Sequence, residues 1–112
     1  MIKIAMSAAL VLLLNVPAAQ AVLIEGNELY ESCEASDFRW VICMGYVAGV
    51  ADTLETDRAA GGDAPKVCIP TQGTRGQVID VVKLYLERNP QERHLAAAVL
   101  VTKALVAAFP CR

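Results

Sequence analysis

The chain is 112 residues long, 55% apolar and 20% charged, with a formal net charge of −2. That length holds one small domain, and its basic residues are spread without aromatic interleaving, which argues against a nucleic-acid partner. Its four cysteines include no C-x-x-C pair and no Cys/His cluster, which argues against zinc.

The first segment carries Lys3, an apolar run from Ile4 to Val16, Pro17, and then Ala19-Gln20-Ala21. This order of basic, apolar and small-x-small residues predicts a cleaved signal peptide over 1–21, and the apolar run is short for a membrane span. Residues 22–112 then form the mature domain, expected in the periplasm and free of the membrane, with no lipid anchor because the first cysteine is Cys33. A chain of this size buries only about 60–65% of the surface its unfolded form exposes, so its core needs covalent help. In an oxidising compartment the four cysteines supply it as two disulfides. Charge is unevenly shared. Residues 22–64 hold nine acidic groups against Arg39 and Arg58, and residues 65–112 hold seven basic groups against Asp80, Glu87 and Glu92. Such asymmetry either steers a charged partner or antiparallel self-association, or is solvated charge complementing helix dipoles.

Asn27 is placed to cap a short first helix running to about Ala35, with Leu29 and Cys33 on one face. Ser36 or Asp37 then caps a longer helix from Phe38 to about Ala60, stopped by Gly61-Gly62. Its inner stripe reads Trp40, Cys43, Met44, Val47, Val50, Ala51 and Leu54. Gly45 and Gly49 share a face, and mid-helix glycine costs about 1 kcal/mol against alanine, so close packing within the fold or across a dimer is expected there. Pro65 and Pro70 make Asp63 to Pro70 an extended connection. Thr74 and Gln77 form a capping box for a third helix whose buried face is Val78, Val81, Val82, Tyr85 and Leu86. Asn89, Pro90 and Glu92 are read as cap, first position and box of a fourth helix. Its inward stripe is Leu95, Ala98, Val99, Thr102, Leu105, Val106 and Phe109. The expected fold is all-α: a compact, disulfide-stabilised bundle of about four helices. Of the three possible disulfide pairings, Cys33–Cys111 with Cys43–Cys68 is favoured, tying the first helix to the chain end and the connection to the second helix.

Catalysis needs a nucleophile with a base, or a base with a group to orient it. His94 is the single histidine and nothing in the sequence pairs it with a nucleophile. Glu28, Glu31 and Glu34 line one short helix as solvated carboxylates, and Gly73 and Gly76 lack the Lys-Ser/Thr of a phosphate loop. The expectation is a non-enzymatic binding protein that uses no cofactor. Two contact surfaces are candidates: the loop from Arg58 through Asp63 to Lys66, and the corner bearing Arg88, Gln91, Arg93 and His94.

Four runs carry a family likeness: CMGYVAGVADTL at Cys43 to Leu54, CIP at Cys68 to Pro70, GQVIDVVKLYLERNPQERH at Gly76 to His94, and ALVAAFPC at Ala104 to Cys111. Together they cover most of the mature chain, which resembles the Tai/Rap family, immunity proteins for type VI secretion amidase effectors. The resemblance implies a helical periplasmic protein, often a homodimer. Such a protein binds a peptidoglycan amidase delivered by sibling cells and occludes its cysteine-histidine active site. It carries over the cysteines and the packing glycines, but no fixed binding loop. The short Asn89-Pro90 corner is not a protruding loop, which makes the Arg58 to Lys66 connection the first choice. The other readings are a general periplasmic stress or structural protein and a lysozyme inhibitor.

Overall fold

The computed structural model describes residues 21–112. The expected signal peptide lies outside them, apart from its last residue, Ala21. Four α-helices follow in order: α1 (Gly26–Glu34), α2 (Arg39–Ala59), α3 (Arg75–Arg88) and α4 (Ala97–Ala108), with one 3-10 turn at Pro90–Glu92. Among the described residues the only β pairing is a single bridge between Glu25 and Ala96, and no helix is long and apolar enough to cross a membrane. The fold is an all-α bundle around one core of side chains from all four helices and Val67.

The start of α1 is secured by backbone rather than by Asn27. Gly26 N–H donates to the Leu95 carbonyl at 2.9 Å and Asn27 N–H to the Arg93 carbonyl at 2.8 Å. Ala97 N–H, at the start of α4, donates back to the Ile24 carbonyl at 2.9 Å. Orphan donors at two helix N-termini are thus satisfied by one pair of antiparallel segments. Only glycine fits at position 26, since a Cβ there would stand 2.3 Å from Leu100 Cδ1 and 2.7 Å from the Arg93 oxygen.

Asp37 holds the start of α2, its carboxylate accepting from Arg39 N–H at 3.0 Å. Cys43, Val47, Ala51 and Leu54 are buried, with Trp40, Met44 and Val50 packed against them, as the periodicity predicts. The helix ends at Gly61, whose φ of +73° is the left-handed conformation that side chains other than glycine rarely adopt. The following segment is extended, with Cys68 N–H donating to the Phe109 carbonyl at 2.9 Å. The Thr74 capping box is present in both directions: Gln77 N–H to Thr74 Oγ1 at 3.2 Å and Thr74 N–H to Gln77 Oε1 at 2.9 Å. Val78, Ile79, Val82 and Leu86 of α3 are buried.

Three expectations are corrected. First, the fourth helix does not begin at Pro90. The Asn89 amide donates backward to the Tyr85 carbonyl at 2.8 Å, and the Glu92 carboxylate takes the Tyr85 hydroxyl at 2.6 Å and the Lys103 ammonium, so neither side chain caps forward. α4 starts at Ala97 and buries Ala97, Leu100, Val101, Ala104 and Leu105. Ala98 and Val99 are exposed, while Leu95, Val106 and Phe109 pack at the margin of the core. A helix apolar on most sides does not reveal its inner face by periodicity.

Second, the disulfides join Cys33 to Cys43 and Cys68 to Cys111, with Cα atoms 4.9 and 5.0 Å apart, in place of Cys33–Cys111 and Cys43–Cys68. The short turn between α1 and α2 lays the end of one helix against the start of the next, so Cys33 meets Cys43. The Cys68–Phe109 backbone bond brings the chain end to the connection, so Cys68 meets Cys111.

Third, Gly45 and Gly49 make no helix crossing within the chain, which leaves packing across a dimer as the remaining half of that expectation. A Cβ built on either finds nothing within 4 Å beyond its own helix, and both glycines face outward.

Candidate interaction surface

The loop that follows α2 is held by its own side chains. Arg58 pairs with the Glu55 carboxylate three residues earlier, and Glu55 also accepts Ile69 N–H at 2.9 Å. The Arg58 guanidinium, then the Ile69 N–H, holds the Glu55 carboxyl below the usual carboxylate range. Asp57 accepts Ala64 N–H at 3.0 Å, and the Lys66 ammonium donates to the Gly62 carbonyl. Asp63 is exposed. The loop is a braced turn rather than a loose arm.

The corner after α3 engages one of its four candidate residues against α1 and α3. Arg93 is half-buried and its guanidinium is engaged within the chain. Its Nε donates to the Leu86 carbonyl at 2.7 Å, a terminal nitrogen donates to the Glu87 carbonyl at 3.3 Å, and the guanidinium carbon sits 3.7 Å from the centre of the Tyr30 ring. It closes the C-terminal end of α3 and clamps it to α1, a structural task for a planar, multiply donating cation. Arg88, Gln91 and His94 remain exposed beside it, with Gln91 donating to Asn89 Oδ1 at 3.3 Å. Below the corner, Lys103 and then the Tyr85 hydroxyl hold the Glu92 carboxyl below its ordinary range, while burial, then Glu92, raises Tyr85.

These two patches do not form one surface. α3 runs antiparallel to α2, because Ile69 and the start of α3 lie beside Glu55, while Lys83 stands 5.5 Å over the Trp40 ring near the start of α2. The loop at 58–66 and the corner at 88–94 therefore sit at opposite ends of α3, roughly 20 Å apart by helical rise. A single partner contact centred on one leaves the other at its margin.

A third surface went unread in the sequence. The face of α2 opposite its core stripe carries Phe38, Val41 and Ile42, which are 77%, 60% and 42% exposed. Gly45 and Gly49 continue the same face at helical spacing, followed by Asp52 and Thr56. Positions 38, 42, 45 and 49 repeat as regularly as the inner stripe, but that spacing does not say which of the two faces the other helices leave uncovered. Beside Gly49 an open groove of about 420 Å³ runs between α2 and α4, lined by Tyr46, Val50, Thr53, Leu54, Ala98 and Thr102. Along α1, Glu25, Glu28, Glu31 and Glu34 are exposed, and Glu31 is near enough to Arg39 to raise its pKa, after the larger effect of Asp37.

All four cysteines are consumed in disulfides. Among the described residues no three His, Cys, Asp or Glu side chains gather as a metal site, and every buried side-chain polar atom has a hydrogen-bond partner. His94 stands exposed at the corner, away from any thiol. The chemistry these surfaces support is recognition: apolar burial on α2, ionic contacts on α1, the 58–66 loop and the corner.

Comparison with known families finds a match over most of the chain. A family model for Rap1a immunity proteins covers residues 25–111, which spans all four helices and both disulfides. No curated protein matches the chain.

Proposed function

The chain belongs to the Rap1a immunity protein family, and from that premise we propose that it protects its cell by binding a type VI secretion peptidoglycan amidase and occluding the enzyme's active site. The family match over the whole helical domain is the observation that carries this reading. A family of immunity proteins implies a secreted effector as partner, and such proteins are typically non-enzymatic. The amidase as that effector, and action in the periplasm, are the finer parts of the proposal.

Three further observations support them. Two disulfides in so small a domain suit an oxidising compartment such as the periplasm. The segment 1–21 has the sequence pattern of a leader, so the proposed mature protein is residues 22–112. The structure's chemistry is contact surface: braced loops, an exposed apolar helix face and an acidic α1. A homodimer, which would present two such surfaces, is part of the same proposal. Arg58, Asp63, Lys66, Arg88, Gln91 and His94 stand as proposed partner contacts, without Arg93, whose guanidinium is engaged by Leu86, Glu87 and Tyr30.

Identifying a small wall hydrolase encoded beside this gene, and co-expressing the two, tests the reading. A stable stoichiometric complex, and loss of muropeptide cleavage when the protein is added, are expected. Absence of both complex and inhibition sinks the amidase assignment. Light scattering of the mature protein alone reads the dimer, and sizing at a monomer's mass removes it from the proposal.

A further inference from the structure

We propose that the outer face of α2, anchored by Phe38, Val41 and Ile42, is the docking surface for a basic protein partner. Under the function proposed above that partner is the effector, and the inference rests on that reading.

Three exposed apolar side chains in the first two turns of one helix form a contiguous patch, whereas scattered apolar residues need no explanation. Phe38 is the most exposed of the three at 77%, and a projecting aromatic is the usual anchor of a protein interface. The two outward positions that follow are glycines with open space above them. Glycine weakens a helix interior, and nothing within this chain uses the access it gives. Large knobs followed by a bare backbone step make a surface that a partner's backbone can approach closely. The groove beside Gly49, about 420 Å³, offers room for an apolar side chain from that partner.

Charge decides what kind of partner fits. Glu31 is near enough to Arg39, beside the patch, to raise its pKa after the larger effect of Asp37. Exposed Glu34 lies three residues farther along α1, and Asp52 is exposed on the same face of α2 beyond the glycines. The cation at the patch's edge, Arg39, is held by Asp37 at 3.0 Å. A second copy docking face to face would bring this acidic rim against itself, and like-charge juxtaposition opposes that pairing. A partner with an apolar recess rimmed by lysine and arginine gains on both counts. The rim then accelerates encounter, while the Phe38 patch sets residence time.

The test uses the neighbouring-gene wall hydrolase as probe, with calorimetry and stopped-flow association at several salt concentrations. Phe38→Ser with Val41→Ser is expected to weaken binding by roughly 30-fold or more, with the melting temperature unchanged because neither side chain is in the core. Glu31→Lys with Glu34→Lys, a folding-neutral surface change, is expected to slow association and flatten its salt dependence. Binding by the Phe38/Val41 variant within about twofold of the parent overturns this face while leaving the immunity reading intact. Conversion of a parent dimer to a monomer by that variant, with hydrolase affinity kept, also overturns it by giving the face to a second copy. Failure of the unaltered protein to bind the hydrolase refutes the immunity reading, and the inference falls with it.

Discussion

Removing the Cys68–Cys111 disulfide is the perturbation whose size the structure best defines. The bridge joins residues 43 apart in sequence, and Cys111 is exposed at the chain end, whereas Cys33 and Cys43 are buried and 10 apart. By the chain-entropy relation a loop of that length restrains the unfolded chain by about 4 kcal/mol, and the short loop by about 2.7 kcal/mol. A domain of this size is stable by only about 5–14 kcal/mol in total. Cys68→Ala with Cys111→Ala should therefore cost about 4 kcal/mol, a large share of the whole. Urea unfolding followed by circular dichroism measures it, as a lower midpoint with the folded baseline retained. Burial gives a companion expectation. Under limiting reductant, alkylation and mass spectrometry should find Cys68 and Cys111 labelled before Cys33 and Cys43. A loss under about 1 kcal/mol, or first labelling at Cys33 and Cys43, would refute the reasoning from loop length and exposure.

Arg93→Ala removes a ring contact and two carbonyl hydrogen bonds, and should lower stability by about 2 kcal/mol in a urea titration. Arg93→Lys should recover little, because an ammonium cannot reproduce the planar fork. Gly45→Ala should stabilise by roughly 0.5–1 kcal/mol, read as a higher melting temperature, since its Cβ meets nothing within the chain; destabilisation would mean a hidden close crossing. For Glu92, the folded carboxyl titrates below its unfolded value through Lys103 and Tyr85. Its contribution is therefore present above the unfolded pKa and lost as pH falls through the lower folded one. Glu92→Gln should flatten stability against pH in that acid window, and an unaltered profile would contradict the network's role.

Much of the fold was legible because the signals were local. The Thr74/Gln77 box needs only residues three apart, and the Gly61 stop needs only a left-handed turn; both are present in the structure. The core stripe of α2 was legible because Cys43, Val47, Ala51 and Leu54 recur at helical spacings of four, four and three. α4 was not, since alanines, valines and leucines surround it and leave no polar side to mark the outside. Arg93 shows the same limit at the candidate site. A charged residue at a helix corner reads as exposed until the carbonyls of Leu86 and Glu87 and the ring of Tyr30 are brought to it.

Sequence alone determined the helical class, the extended connection, two disulfides' worth of cysteine and the family. Each of these depends on local periodicity, on residue types at short spacing, or on runs long enough to resemble known relatives. Tertiary structure decided which cysteine meets which, where α4 begins, and which face of α2 is left bare. Those outcomes depend on how helices pack and which backbone groups find partners across the fold. The glycines at 45 and 49 were visible from the start as an anomaly in a helix. Only the placement of the other helices, none of which covers positions 45 and 49, turned that anomaly into a surface.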